Sequence, residues 1–274
     1  MTGSERTMPL LEQMMNLRGR TALITGGCGH LGRAFAETLA EMGASIALVD
    51  LSEDRLASTA AAISDQYGVA VHAFAADLSD NTVVAELPGR VAGTTGGVDI
   101  LVNNAAFVGT SSLTGWCVPF EQQSHATWRA ALEVNLTAPF FLVQAALPWL
   151  AGSGKGVVIN IASLYGHLGP DMRLYEGTSM GNPAAYAASK GGLIQATRWL
   201  STVLAPRVRV NCISPGGVWR NQPPEFVERY CSRTPLGRMA TEDDFKGAVA
   251  YLASDLSLYV TGQHIAVDGG FGVW

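Results

Sequence analysis

The sequence predicts a single α/β domain: a doubly wound parallel sheet of seven strands with helices on both faces. Three observations carry this. Seven short apolar runs alternate with longer stretches of helical periodicity. The runs are apolar at nearly every position, as in strands covered on both sides. The strand-helix order also repeats along all 274 residues without linker, repeat or low-complexity tract, which suits one large domain.

Residues 1–19 are an N-terminal extension to a domain spanning 20–274. The stretch 1–17, "MTGSERTMPLLEQMMNL", holds acidic residues and a proline and has no apolar core of signal-peptide length, so no targeting role is expected. "TALIT" (21–25) is the first strand, followed by the glycine-rich "TGGCGHLG" (25–32) and a helix near 30–42. "SIALVD" (45–50) leads into a helix over 53–66, "AVHAFAAD" (70–77) into one over 80–95, and "VDILVNN" (98–104) into one long helix over 124–150. "GVVINIAS" (156–163) and "RVRVNCIS" (207–214) flank a helix over 183–204, and a helix over 241–254 precedes "HIAVDGG" (264–270). Segments 166–182 and 219–240 break this rhythm. Both follow C-terminal strand ends, where open α/β sheets take their ligands, and are the expected substrate loops.

Composition narrows the function class. Charged residues make up 15% and the net charge is −5, so no basic field exists for nucleic acid. No uninterrupted apolar run approaches the roughly 20 residues that span a bilayer, so no membrane partner is expected. Cys28, Cys117, Cys212 and Cys231 form no CxxC pair and no metal-ligand spacing, which predicts reduced thiols, a cytoplasmic protein and no metal site.

The strand, glycine loop and helix at 21–42 aim backbone N–H groups and a helix N-terminus at one point, a seat for a diphosphate. Asp50 closes the second strand 18 residues after Gly32, where a carboxylate accepts from both hydroxyls of an adenosine ribose. Its other use is to cap the helix beginning at 53. No cation occupies 27–31 and Leu51 follows Asp50, so NAD is expected rather than NADP, with Arg33 the one reservation.

In "YAASK", Tyr186 and Lys190 share one helix face. A phenol with a pKa of about 10 needs a neighbouring cation to act as a base near neutrality, and Lys190 with an oxidised nicotinamide would supply it. The same spacing also occurs on solvated helix faces. Ser163, at the end of the fifth strand, can hold a substrate oxygen that Tyr186 protonates. Asn135 is a polar residue in an apolar helix, either holding a water or distorting the helix.

Together these residues resemble the short-chain dehydrogenase/reductase family, in its compact single-domain branch with a Rossmann-like fold, from about residue 20 onward. The resemblance implies a catalytic tetrad of Asn135, Ser163, Tyr186 and Lys190. It implies cofactor contacts at Gly26, Cys28, Gly29, His30, Leu31, Gly32, Asp50 and Leu51. "AADLS" adds Asp77 and Leu78, "NNAA" adds Asn104 and Ala105, and "SPGGV" adds Pro215, Gly216 and Val218; Tyr186 and Lys190 also face the cofactor. It further implies a homotetramer or homodimer built on the helices near 124–150 and 183–204 and the last strand, with "FGVW" as a contact.

The chain departs from the family pattern at four places. His30 stands for a glycine, Ala106 for the last glycine of NNAG, and Arg220 near the place of a threonine that donates to the cofactor. Ser163 and Tyr186 are 23 residues apart, longer than the branch's usual spacing. The inserted "YEGTSM" (175–180) is similar to a segment of oxidoreductases of flagellin and surface-sugar (nonulosonic acid) biosynthesis, implying a polyhydroxylated or keto small-molecule substrate, with or without a phosphate. Arg173 and Arg220 are the candidates for anionic or hydroxyl-rich groups, with His167 and Trp219 as further substrate contacts. The leading expectation is NAD(H)-dependent interconversion of a secondary alcohol and a ketone. The alternatives are a sugar-nucleotide epimerase or dehydratase using bound NAD, and a catalytically silent dinucleotide-binding module.

Overall fold

The computed structural model describes residues 9–108 and 113–274. Seven parallel strands form one sheet in the order β3-β2-β1-β4-β5-β6-β7. They are β1 (Thr21–Thr25), β2 (Ser45–Asp50), β3 (Val71–Ala75), β4 (Ile100–Asn103), β5 (Gly156–Ile161), β6 (Val208–Pro215) and β7 (His264–Val267). The order reverses direction between β1 and β4, which pair from Ala22↔Ile100 to Ile24↔Val102, and the crevice opens at their C-terminal ends.

Alternation along each strand builds two cores. Ala22 and Ile24 of β1, with Ile46 and Leu48 of β2, pack on Phe35, Leu39 and Ile63 from α2 (His30–Glu41) and α3 (Glu53–Tyr67), and on Phe245, Val249 and Leu252 at α9 (Lys246–Ala253). Leu23, Ala47 and Val49 face the other way, onto Leu87 of α4 (Asn81–Thr95), Leu142 of α6 (Ala138–Gly152) and Leu200 of α7 (Ala184–Leu204).

Helix ends follow local chemistry. Ser52 caps α3 by accepting from the Arg55 N–H, and Gly68 ends it at φ 67°. Asp50 is therefore not the cap, which leaves it at the crevice. Asp80 caps α4 through the Thr82 N–H at 2.8 Å.

The long helix expected over 124–150 is broken. α5 (His125–Leu132) passes through a π-turn, Glu133–Thr137, into α6. Pro139 has no N–H to give the Asn135 carbonyl, so the regular i→i−4 ladder cannot run through this point. The continuous helical stretch His125–Gly152 is long and apolar enough by length and composition alone to cross a membrane, although His125, Arg129, Glu133 and Asn135 interrupt its apolar run. In the fold it is a core helix: α6 packs on α4, and Leu142, Val143, Ala146 and Leu150 are fully or almost fully buried.

Two further helices escaped the sequence patterns. α1 (Leu10–Met15) lies in the extension and buries nothing, but Leu17 just after it is fully buried and donates from its N–H to the Met42 carbonyl at 2.9 Å. α8 (Pro224–Arg233) occupies the middle of the expected loop 219–240. Its apolar face, Phe226 and Tyr230, packs on Leu174 and Tyr175 of the insertion and on Phe271 near the C-terminus. The two segments that break the strand-helix rhythm thus pack on each other.

Candidate active site

One cleft of about 850 Å³ runs along the C-terminal ends of the strands, from Asp50 at one end to Ser163, Tyr186 and Lys190 at the other. The glycine loop forms its floor. Gly26 has φ 62°, and a Cβ there would lie 2.9 Å from Ala105 Cα. At Gly32 a Cβ would overlap the Gly26 carbonyl and come within 2.7 Å of Asn104 Nδ2, so α2 can close on the loop only with glycine here. The Asn104 amide donates to the Thr25 and Gly26 carbonyls at 3.0 and 3.1 Å. It lines the cleft while its donors brace the loop.

At the far end Asp50 accepts from the Cys28 N–H at 3.0 Å through Oδ2 and from the Leu51 N–H at 2.9 Å through Oδ1. Cys28 is buried and does not line the cleft; its N–H is bonded to Asp50 and its carbonyl accepts from Arg55. Arg55, from the first turn of α3, donates to the Cys28 carbonyl and lines the cleft. This corrects the expectation that no cation stands near Asp50, because a helix turn brings Arg55 back to the loop. Arg33 turns away and pairs with Glu37 at 2.8 Å.

At the other end Ser163 follows β5 and accepts the Tyr165 N–H at 3.2 Å. Tyr186 and Lys190 stand one turn apart at the start of α7. Lys190 is buried, and its Nζ donates to the Ile161 carbonyl at 2.7 Å. Burial pushes its pKa down to about 8. Its ammonium lies 5.9 Å from the Tyr186 ring centroid. Burial raises the Tyr186 phenol, and the hydrogen bond with Ser163 works against that rise. The lowering of Tyr186 anticipated from Lys190 is therefore not the dominant influence on this phenol; desolvation is.

Asn135 is fully buried and absent from the cleft lining. Its Oδ1 accepts the Phe107 N–H at 2.6 Å, and its Nδ2 donates to the Phe107 carbonyl at 3.2 Å and to Ser189 Oγ at 3.1 Å. The side chain is thus engaged in fastening the loop after β4 to α7.

Gly26, Gly29, His30, Leu31, Gly32, Asp50, Leu51, Asp77, Leu78, Asn104, Ala105, Pro215, Gly216 and Val218 all line the cleft. The four substrate candidates do not. His167 packs edge-on against His264 at 4.5 Å between centroids. Arg173 pairs with Asp171, which also binds Arg233, and its side chain is 79% exposed. Trp219 is exposed, and Arg220 is ion-paired to Glu242 at 2.8 Å. The insertion is instead stitched to α8, where Arg229 donates to the Glu176 carbonyl at 2.5 Å. Sequence reasoning missed Phe107, Val108, Ala130 and Val134, apolar cleft residues from the loop after β4 and from the α5 region; no motif marks them.

A family model described as enoyl-(acyl carrier protein) reductase matches residues 29–272. The chain is 31% identical over 261 residues to the 3-oxoacyl-(acyl-carrier-protein) reductase of Aquifex aeolicus, covering 93% of this chain and 98% of that one. It is 31% identical over 257 residues to cis-4-hydroxycyclohexanecarboxylate dehydrogenase of Sinomonas cyclohexanicum, covering 92% and 96%. The crystal structure of a gluconate 5-dehydrogenase from Burkholderia cenocepacia, in complex with NADP and tartrate, superposes with a TM-score of 0.85 at 30% identity, covering 96% and 99%.

Proposed function

The chain belongs to the short-chain dehydrogenase/reductase family and is an oxidoreductase, and from that premise we propose that it uses NAD to interconvert a secondary alcohol and a ketone on a sugar-derived substrate. The observation that carries this reading is one cleft holding Asp50 at one end and Ser163, Tyr186 and Lys190 at the other. A dinucleotide fits the residues present: the loop packs this closely on α2 and on the turn after β4 because Gly26 and Gly32 lack a Cβ, and the N-terminus of α2 at the cleft suits a diphosphate.

Asp50 supports NAD. Both its oxygens accept backbone N–H groups, which fixes the carboxylate in place, ready to accept from ribose hydroxyls and repelling a 2′-phosphate. When bound, the nicotinamide supplies the hydride acceptor or donor and, oxidised, a positive charge. Tyr186 is the acid or base at the substrate oxygen. Raised by burial, its phenol is protonated at neutral pH and ready to donate to a ketone that is being reduced. Ser163 orients that oxygen. Lys190 is anchored on Ile161 and bears on Tyr186 through space, while Asn135 is a positioning residue for the loop carrying Phe107.

Soluble, cytoplasmic and oligomeric states belong to the same reading. Trp128 on α5, Phe141 on α6 and Trp199 and Val203 on α7 leave an exposed apolar face on the helices expected to pair two copies. Of the terminal "FGVW", Phe271 is instead buried within the chain, and Trp274 donates from Nε1 to the Arg233 carbonyl at 2.9 Å. The test is a spectrophotometric assay of NADH consumption against keto-sugars and NAD reduction against polyols, run beside the NADP couple. Absence of hydride transfer with both couples would sink the proposal.

A further inference from the structure

Glu242 joins side chains from the two lips of the cleft. Its Oε1 lies 2.8 Å from Arg220 Nη2 and 3.4 Å from His30 Nδ1. His30 opens α2 and lines the cleft at the glycine loop. Arg220 lies beyond Pro215, Gly216 and Val218, which line the same cleft from the β6 side. The turn carrying Arg220 is built: its N–H donates to Gln222 Oε1 at 2.6 Å, and Gln222 Nε2 donates to the Val218 carbonyl at 2.8 Å. Asn221 takes φ 58°, the left-handed region that asparagine tolerates better than most residues. This turn directs Arg220 toward the start of α2 and away from the insertion. Two of the chain's departures from the family pattern, His30 and Arg220, thus meet on one carboxylate.

Charge along the cleft shows what is missing. Among the described residues lining it, the lysine and arginine side chains are Arg55, beside Asp50, and Lys190, buried at the opposite end. Between them the glycine loop and the N-terminus of α2 face a diphosphate with backbone N–H groups and about half a unit of positive charge. Arg220 is a further guanidinium near this point, held by Glu242 and by the hydrogen bond that its Nη1 donates to the Trp219 carbonyl at 2.7 Å. Its pair with Glu242 is partly exposed on both sides, 29% and 33%, and such pairs are weakly held. Guanidinium to phosphate can make two parallel hydrogen bonds, where Glu242 is met by the single Nη2–Oε1 contact.

We propose that Arg220 is a dinucleotide-binding residue that exchanges Glu242 for the diphosphate above the N-terminus of α2, and that Glu242 parks it beside His30 until the dinucleotide arrives. The proposal rests on the dinucleotide reading of the cleft and is independent of the choice between NAD and NADP.

The test is equilibrium titration of the ligand-free protein, with NADH followed by its fluorescence and with ADP-ribose and adenosine followed by thermal shift. Arg220→Ala is expected to bind NADH and ADP-ribose about tenfold more weakly and adenosine unchanged, since adenosine carries no diphosphate. Glu242→Gln is expected to bind ADP-ribose several-fold more tightly at low salt, because no carboxylate competes for Arg220. Unchanged ADP-ribose binding in Arg220→Ala, a matching loss for adenosine, or unchanged or weaker binding in Glu242→Gln overturns the proposal. If Arg220→Ala fails to fold, Glu242→Gln decides alone. Wild-type protein that binds neither NADH nor ADP-ribose overturns the dinucleotide reading itself.

Discussion

Gly166 lies so close to Lys190 that a Cβ on it would stand 2.8 Å from the Lys190 carbonyl carbon. This contact seats the turn after Ser163 directly on α7, and so holds Ser163 against Tyr186 although a long insertion separates them in sequence. Gly166→Ala must push that turn off the helix. We expect a loss of about 1–3 kcal/mol in stability. The turnover number should fall while NADH affinity is kept, because the Asp50 end is untouched; parallel urea melts, NADH titrations and steady-state rates measure the three quantities.

Tyr186→Phe removes the hydroxyl that the proposed mechanism assigns to proton exchange with the substrate oxygen. A loss of about 10²–10⁴ in turnover is expected, with NADH binding unchanged. Near-wild-type turnover in this variant would remove Tyr186 from the mechanism.

Lys190 makes a pH prediction. Burial lowers its folded-state pKa to about 8, while the unfolded chain has the ordinary value of about 10.4. Between these values the unfolded state holds the proton that the native state has shed, so this group adds stability as pH rises through the window, and below about 8 the cost of burying the charge is present in full. The stability difference between wild type and Lys190→Met in the ligand-free protein should therefore shift in favour of wild type by an amount on the order of 3 kcal/mol from pH 8 to 10.5. Chemical denaturation of both proteins across that range measures it, and a flat difference contradicts the assignment.

Asp50 and Arg55, bonded to the N–H and the carbonyl of Cys28, are expected to act oppositely on the cofactor ratio. Asp50→Ser removes the charge that repels a 2′-phosphate while leaving Arg55 in place, and is expected to move the kcat/KM ratio of NADP to NAD upward by about 10–100-fold. Adding Arg55→Ala should give back part of that gain. Assays with both cofactors at one ionic strength separate the two contributions.

Asn135→Leu leaves the Phe107 N–H without its 2.6 Å acceptor. An unsatisfied buried donor of this kind costs about 1–3 kcal/mol. The loop after β4 forms a wall of the cleft, so thermal melts should show the loss together with a raised KM.

The strand-helix order, the glycine loop, Asp50 and the Tyr186–Lys190 spacing were legible in the sequence because each is a local pattern. Strand alternation, a turn needing glycine and one helical turn between side chains are all set within a few residues. That locality also explains the misreadings. The break at Glu133–Thr137 depends on a donor missing at Pro139, four residues beyond Asn135, and α8 is hidden between prolines in a segment with few apolar residues.

By itself the sequence determined the fold, the family and the two ends of the cleft, since these follow from periodicity and from residue types that only certain backbone positions accept. Only the tertiary structure decided which charged side chains face the cleft. Arg173 is taken by Asp171, Arg55 is brought back to the glycine loop by the first turn of α3, and Arg220 is turned toward His30 by Glu242. A long flexible cation goes to the nearest carboxylate, carbonyl or phosphate, and which one is nearest depends on contacts between elements far apart in the chain.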